Sequence, residues 1–173
     1  FMPMEPEAAD IHITDIAHAL SLLCRGNGHV KHFFSVGQHC VNCALEAMAR
    51  GYSRRVCLAC LLHDAGEAYL SDVPRPFKKT LPSYQKLEDH FLTILYEKYL
   101  GSDLTQEERG LVREIDDDML YFDLTELLGE KPDRLEYYIN VMMEKVDFGS
   151  LNVPFLEVEE NYIELFHELM SGI

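Results

Sequence analysis

The spacing of the apolar residues constrains this fold most. They recur every three to four positions along nearly the whole chain, and a hydroxyl cap, Gly or Pro interrupts them about once per helix length. Thr14 is placed to cap a first helix with Ile16, Ala19, Leu20 and Leu23 on one face, ended by Gly26 and Gly28. A loop from Asn27 to Phe34 follows. Ser35 with Gln38 forms a capping box for a second helix through Val41, Ala44, Leu45 and Met48 to Gly51. Ser53 opens a third, in which Val56, Leu58, Leu61 and Leu62 predict deep burial. Three prolines between Ser71 and Pro82 predict a loop. Pro82-Ser83 starts a helix to about Leu100, closed by Gly101, and Thr105 with Glu108 caps the next, to about Leu128. Pro132 suits the first turn of another helix, to about Val146, and a last one covers roughly Leu156 to Met170. No strand-like alternation of useful length appears. The expected fold is an all-α bundle of about six or seven helices, with residues 1–173 forming a single domain.

No run of 18 apolar residues predicts a membrane span. The acidic start, FMPMEPEAAD, has no charged-then-apolar leader, and five cysteines suit a reducing compartment, so the expected location is cytoplasmic. The net charge of −15 argues against nucleic-acid polymers and anionic membranes as partners. That charge is unevenly placed. Residues 1–100 hold 10 basic and 11 acidic side chains, whereas residues 101–173 hold 5 and 19. Between Arg25 and Lys79 there are 8 basic and 4 acidic residues. A small anionic ligand therefore remains compatible with that stretch.

Three pieces carry chemistry: His39 in FSVGQHC, His63-Asp64 in LLHDAGEAYL, and Asp116 in LVREIDDDML. Each falls in a different predicted helix. A His-Asp pair ending a buried apolar helix costs several kcal/mol unless both side chains find partners. A divalent cation would satisfy both, because imidazole nitrogen and carboxylate oxygen together suit a first-row transition metal.

The order H…HD…D resembles the HD-domain metal-dependent phosphohydrolases, over about residues 15–128. The likeness is greatest to the nucleotidase-like (5′-deoxynucleotidase-type) branch. HDAGEAYLSDVPRPFK is similar to that branch's HD-x-x-E…D-x-P-x-P-x-K signature, VREID to the segment bearing its final ligand, and CRGNGH with FSVGQH to its opening segment. The resemblance implies His39, His63, Asp64 and Asp116 as ligands of one divalent metal ion (Mn, Co, Fe, Zn, Ni or Mg). It implies hydrolysis of a phosphate monoester of a nucleoside or deoxynucleoside by a metal-activated water, with catalytic roles for Asp64 and Glu67. Glu67, one turn beyond the pair, is the candidate base or proton donor. Asp72 would contact the sugar, and Arg25 and Lys78 the phosphate, with Arg75 a weaker candidate. Relatives of this kind often form homodimers. Arg25 precedes Gly26, where that branch tends to carry a bulky aromatic residue, and the chain has no Trp.

Plainer readings stand beside these. Glu67 could be a solvated residue near a helix end, Asp72 a turn residue, Arg25 a helix C-terminal charge, and Lys78-Lys79 a solvated pair. Asp117 competes with Asp116 because the helix phase is uncertain by one residue. His29 and His32 either line the pocket mouth or are exposed loop residues, and the scarcity of histidines between His63 and Asp116 favours one metal over two. Cys40-x2-Cys43 and Cys57-x2-Cys60, 13 residues apart, mimic a zinc site. Both pairs lie in amphipathic helices, where they read better as core residues. The apolar positions of the C-terminal helices (about 131–171), among them Tyr137, Tyr138, Phe155, Tyr162 and Phe166, face either a partner or the core. Functional alternatives are hydrolysis of a cyclic or polyphosphorylated nucleotide, and a non-catalytic module that senses metal and nucleotide.

Overall fold

The structure is a computed structural model that describes residues 2–127 and 152–172. The expected helix at 132–146 lies outside the described residues. Among them the chain is all-α, with no strand and only an isolated bridge between Cys24 and Ser35. The helices are α1 (Ile13–Leu22), α2 (Val36–Ala49), α3 (Arg54–Leu62), α4 (Glu67–Leu70), α5 (Arg75–Lys78), α6 (Pro82–Leu100), α7 (Gln106–Leu127) and α8 (Phe155–Met170).

Most helix starts follow the local chemistry of the sequence. Ser53 accepts a hydrogen bond from Val56 N at 3.3 Å, and Thr105 and Glu108 cap each other, at 2.8 and 3.2 Å. Three details differ from expectation. Ser35 Oγ accepts from Gln38 N at 3.1 Å, but the Gln38 side chain donates forward to Asn42 at 2.8 Å, so only half the box forms. Thr14 lies inside the first turn of α1, whose N-cap is His12 with no side-chain cap. The proline-rich stretch contains the short helix α5, because a proline in the first turn forfeits no intrahelical hydrogen bond.

The α1 helix ends at Leu22, four residues before Gly26. The next turn, Arg25–Gly28, has Gly26, Asn27 and Gly28 all at positive φ, which only glycine and asparagine adopt readily. It doubles the chain back so that Arg25 N donates to Phe34 O at 2.9 Å and Val36 N to Leu23 O at 2.9 Å. Arg25 is thereby placed beside the start of α2.

Helices α2 and α3 form the centre. Eleven α2 residues are buried, and α3 is buried from Val56 to Leu62. α1, α7 and α8 pack around this pair. Tyr162 of α8, fully buried, donates to Leu61 O at 2.8 Å, and Phe166 is also buried. These two aromatics cap the core, which leaves Phe155, 40% exposed, as the described member of that group facing solvent. Arg55 of α3 donates to Leu100 O, Ser102 O and Asp103 O, and to Glu108, pinning the α6–α7 link. Arg50 at the end of α2 reaches Glu46, Glu114 and Asp118, fixing α7 along α2.

Gly37 lets α1 and α8 approach the first turn of α2. A Cβ there would lie 3.1 Å from Val158 Cγ1 and 3.2 Å from the Leu20 and Ser21 backbone. Backbone cannot yield as a side-chain tip can. Gly37→Ala is therefore expected to lose about 1–3 kcal/mol through overpacking. Urea unfolding would measure this, and an unchanged midpoint would contradict it.

Candidate metal centre

The α2 helix presents His39, fully buried. The end of α3 supplies His63 and Asp64, and Glu67 follows at the start of α4. α7 crosses both helices and supplies Asp116. The four side chains form a ring. His39 Nε2 lies 3.2 Å from Asp116 Oδ1 and 3.9 Å from Asp64 Oδ2, while His63 Nε2 lies 3.3 Å from Asp64 Oδ2 and 3.6 Å from Asp116 Oδ1. Donors sharing one ion at about 2.1 Å sit roughly 3.0–3.4 Å from one another.

The outer nitrogen of each imidazole is engaged by the protein. His63 Nδ1 donates to Cys60 O at 2.7 Å, and His39 Nδ1 lies 2.9 Å from Asp123 Oδ2. Both Nε2 atoms therefore face the ring, and His63 Nε2 is buried without a well-formed hydrogen bond. That orphaned nitrogen between two carboxylates fits a divalent cation.

Three consecutive aspartates on α7 point three ways. Asp116 Oδ1 faces the imidazoles, and its Oδ2, with Asp117, holds the Arg75 guanidinium. Asp118 binds Arg50 at 2.7 Å. Of Asp116 and Asp117, Asp116 is thus the one on the ring.

Electrostatics follow from burial and neighbours. Burial disfavours the His63 imidazolium, yet Asp64 and Asp116 outweigh it and hold its pKa well above the ordinary value. Burial likewise opposes ionisation of Asp64 and Asp116. The histidines reverse the balance and hold both below the usual carboxylate range. Glu67 goes the other way: burial, reinforced by Asp64 and Asp72, keeps it well above that range despite Lys78 and Arg25. Its Oε1 lies 3.4 Å from Lys78 Nζ, and its Oε2 is buried without a partner.

Arg25, His63, Asp64, Glu67, Asp72, Lys78 and Asp116 line one cavity of about 920 Å³, with Arg75 among them; His39 lies behind it. Arg25 Nη1 is 3.5 Å from Asp64 Oδ2. Two participants carry no local sequence signal. Glu88 of α6 accepts from Lys78 Nζ at 2.7 Å, and Asp123 of α7 accepts from Arg25 Nε at 3.0 Å as well as facing His39. The exposed His29, His32 and His90 do not line the cavity.

The four cysteines of the zinc-like spacing are buried and free, and they do not gather into one cluster. Cys57 and Cys60 join no group of potential ligands, and burial pushes their thiols up to about 11 and about 12. Cys40 and Cys43 instead approach the ring. Cys43 Sγ is 3.5 Å from His39 Nε2, and each of the two thiols forms a potential three-ligand group with His63.

No protein-family model matches the chain. It is similar to the uncharacterized protein YfdR of Escherichia coli K12, 42% identical over 90 residues, which cover 52% of this chain and 48% of that protein. It is also similar to the uncharacterized protein RCAP_rcc00048 of Rhodobacter capsulatus, 34% identical over 102 residues, 56% of this chain and 52% of that protein. The chain spans about half the length of the curated relatives it matches, and neither name describes an activity. Among the described residues no helix is long and apolar enough to cross a membrane.

Because His63 holds its proton above the ordinary value of 6.5, a divalent ion must displace that proton to bind. Mn²⁺ affinity is expected to keep rising as pH passes 6.5, with proton release visible by calorimetry in two buffers of different ionisation enthalpy. A flat affinity above that pH would contradict this reading.

Proposed function

We propose that this chain is an HD-type metal-dependent phosphohydrolase that cleaves a small phosphate monoester, in the first place a nucleoside or deoxynucleoside 5′-monophosphate. The carrying observation is the ring of two imidazole nitrogens and two carboxylate oxygens, open to a cavity that also holds cations and a carboxyl group of raised pKa. His39, His63, Asp64 and Asp116 would hold one divalent ion. Bound there, such an ion supplies polarisation of a phosphoryl oxygen and a lowered pKa for water.

The protein's own groups divide the remaining work. Arg25 and Lys78 reach the cavity as donors to phosphate oxygens, and each is already oriented by a carboxylate. Fixed donors of this kind stabilise developing charge without reorganising. Glu67 holds its proton above the ordinary carboxylate range, so it suits protonation of the leaving alkoxide. Asp72, which lines the same cavity, would accept from a sugar hydroxyl. The two imidazole nitrogens favour Mn²⁺, Co²⁺, Zn²⁺ or Fe²⁺ over Mg²⁺, since nitrogen donors suit transition metals better than a hard oxygen-seeking ion. Five free cysteines are in keeping with a reducing, cytoplasmic setting.

Phosphate release from a nucleotide panel with Mn²⁺, Co²⁺, Mg²⁺ and Zn²⁺ in turn tests the activity. Turnover confined to cyclic or polyphosphorylated nucleotides would replace the substrate class, and binding without turnover would favour the sensor reading. Asp64→Ala is expected to abolish both turnover and most metal binding. Glu67→Gln is expected to retain metal and lower kcat by roughly 10²–10⁴-fold. A donor with a raised pKa is lost only as pH climbs through that raised value. Wild-type activity should therefore persist above the ordinary carboxylate range and fall on the alkaline side.

A further inference from the structure

We infer that Asp123 is the positioning residue of the candidate metal centre: it sets which nitrogen of His39 faces the ion and aims Arg25 from the same oxygen. The inference rests on the metal-binding reading above. Asp123 lies two helical turns beyond Asp116 on α7 and is 5% exposed. Its Oδ2 lies 2.9 Å from His39 Nδ1 and accepts from Arg25 Nε at 3.0 Å. One carboxylate oxygen thus joins α7, α2 and the turn after α1. Its Oδ1 is buried and has no hydrogen-bond partner.

An ion pair with Arg25 alone would not need His39. The imidazole is fully buried, and its two nitrogens have different neighbours. Nδ1 meets Asp123, whereas Nε2 meets Asp116, Asp64 and the Cys43 thiol. A carboxylate accepting from Nδ1–H leaves the Nε2 lone pair on the ring side and raises its basicity. An amide at this position could turn its NH₂ towards Nδ1, which would favour the opposite tautomer and put a proton where the ion must sit. Arg25 would lose charge assistance at the same time, although its Nη1 would still have Asp64 within 3.5 Å. His63 is held differently, by the carbonyl of Cys60, so its orientation does not depend on Asp123.

Co²⁺ binding to the full chain, followed by visible absorption and chelator competition, tests the inference on wild type and Asp123→Asn. Wild type is expected to bind one Co²⁺. Asp123→Asn, checked for folding by circular dichroism, is expected to bind it roughly 10–100-fold more weakly and with an altered spectrum. Equal affinity and spectrum in the two proteins would overturn the role of Asp123 and leave the metal site standing. No Co²⁺ binding by wild type would overturn both. Wild type also provides a test that needs no variant. In the Zn²⁺-loaded protein, long-range ¹H–¹⁵N correlations should show His39 protonated at Nδ1 and metal-bound at Nε2. Coordination through Nδ1 would overturn the inference even if Asp123→Asn fails to fold.

Discussion

The structure depends on keeping ionisable groups buried where three helices meet. His39, His63, Asp64, Asp116 and Asp123 sit at the contact of α2, the end of α3 and α7, each less than a quarter exposed. Charges taken out of water cost several kcal/mol each unless nearby partners compensate. Here the compensation is reciprocal: imidazoles lie against carboxylates, and Arg25 lies between Asp64 and Asp123. Neighbouring features follow from this need. The left-handed turn at Gly26–Gly28 brings Arg25 back, Gly37 allows α1 and α8 close to α2, and Arg50 fixes the position of α7 through Asp118.

The net charge of −15 takes a different meaning in this arrangement. The Asp116–Asp118 run concentrates negative charge, but each aspartate meets a cation or imidazole on another element, with Asp116 and Asp117 sharing Arg75. The pocket keeps a mixed character, with Arg25, Arg75, Lys78, Lys79 and Arg113 among its lining residues. The same lining carries Asp64, Glu67, Asp72, Glu88, Asp116, Asp117 and Asp123, so charges of both signs meet in one cavity.

The cysteines show how helix geometry overrides a spacing motif. Two CxxC pairs need loops to turn four sulfurs towards one point, and α2 and α3 are continuous helices through both pairs. Cys57 and Cys60 remain core residues. Cys40 and Cys43 share α2 with His39, adjacent to it and one turn on, and so end beside the imidazoles. The spacing predicts nothing about that proximity.

Much of the fold was legible because its signals are local. The Thr105–Glu108 box, the Ser53 cap and the left-handed Gly101 at the end of α6 each act within a few residues. Ser35 was half legible, since Gln38 found a nearer acceptor in Asn42. The neighbouring residues His63, Asp64 and Glu67 were equally readable, because one short segment carries all three. Asp116 and Asp117 could not be separated locally, since one residue turns a helix by about 100° and only packing against α2 and α3 sets the phase. Asp123 and Glu88 were invisible. Asp123 acquires its role from His39, 84 residues away, and Glu88 from a lysine on a separate short helix. The sequence alone therefore determined most of the described helices and the residue types able to hold an ion. Tertiary structure decided which of those residues meet, because contact between side chains distant in sequence depends on how whole helices cross.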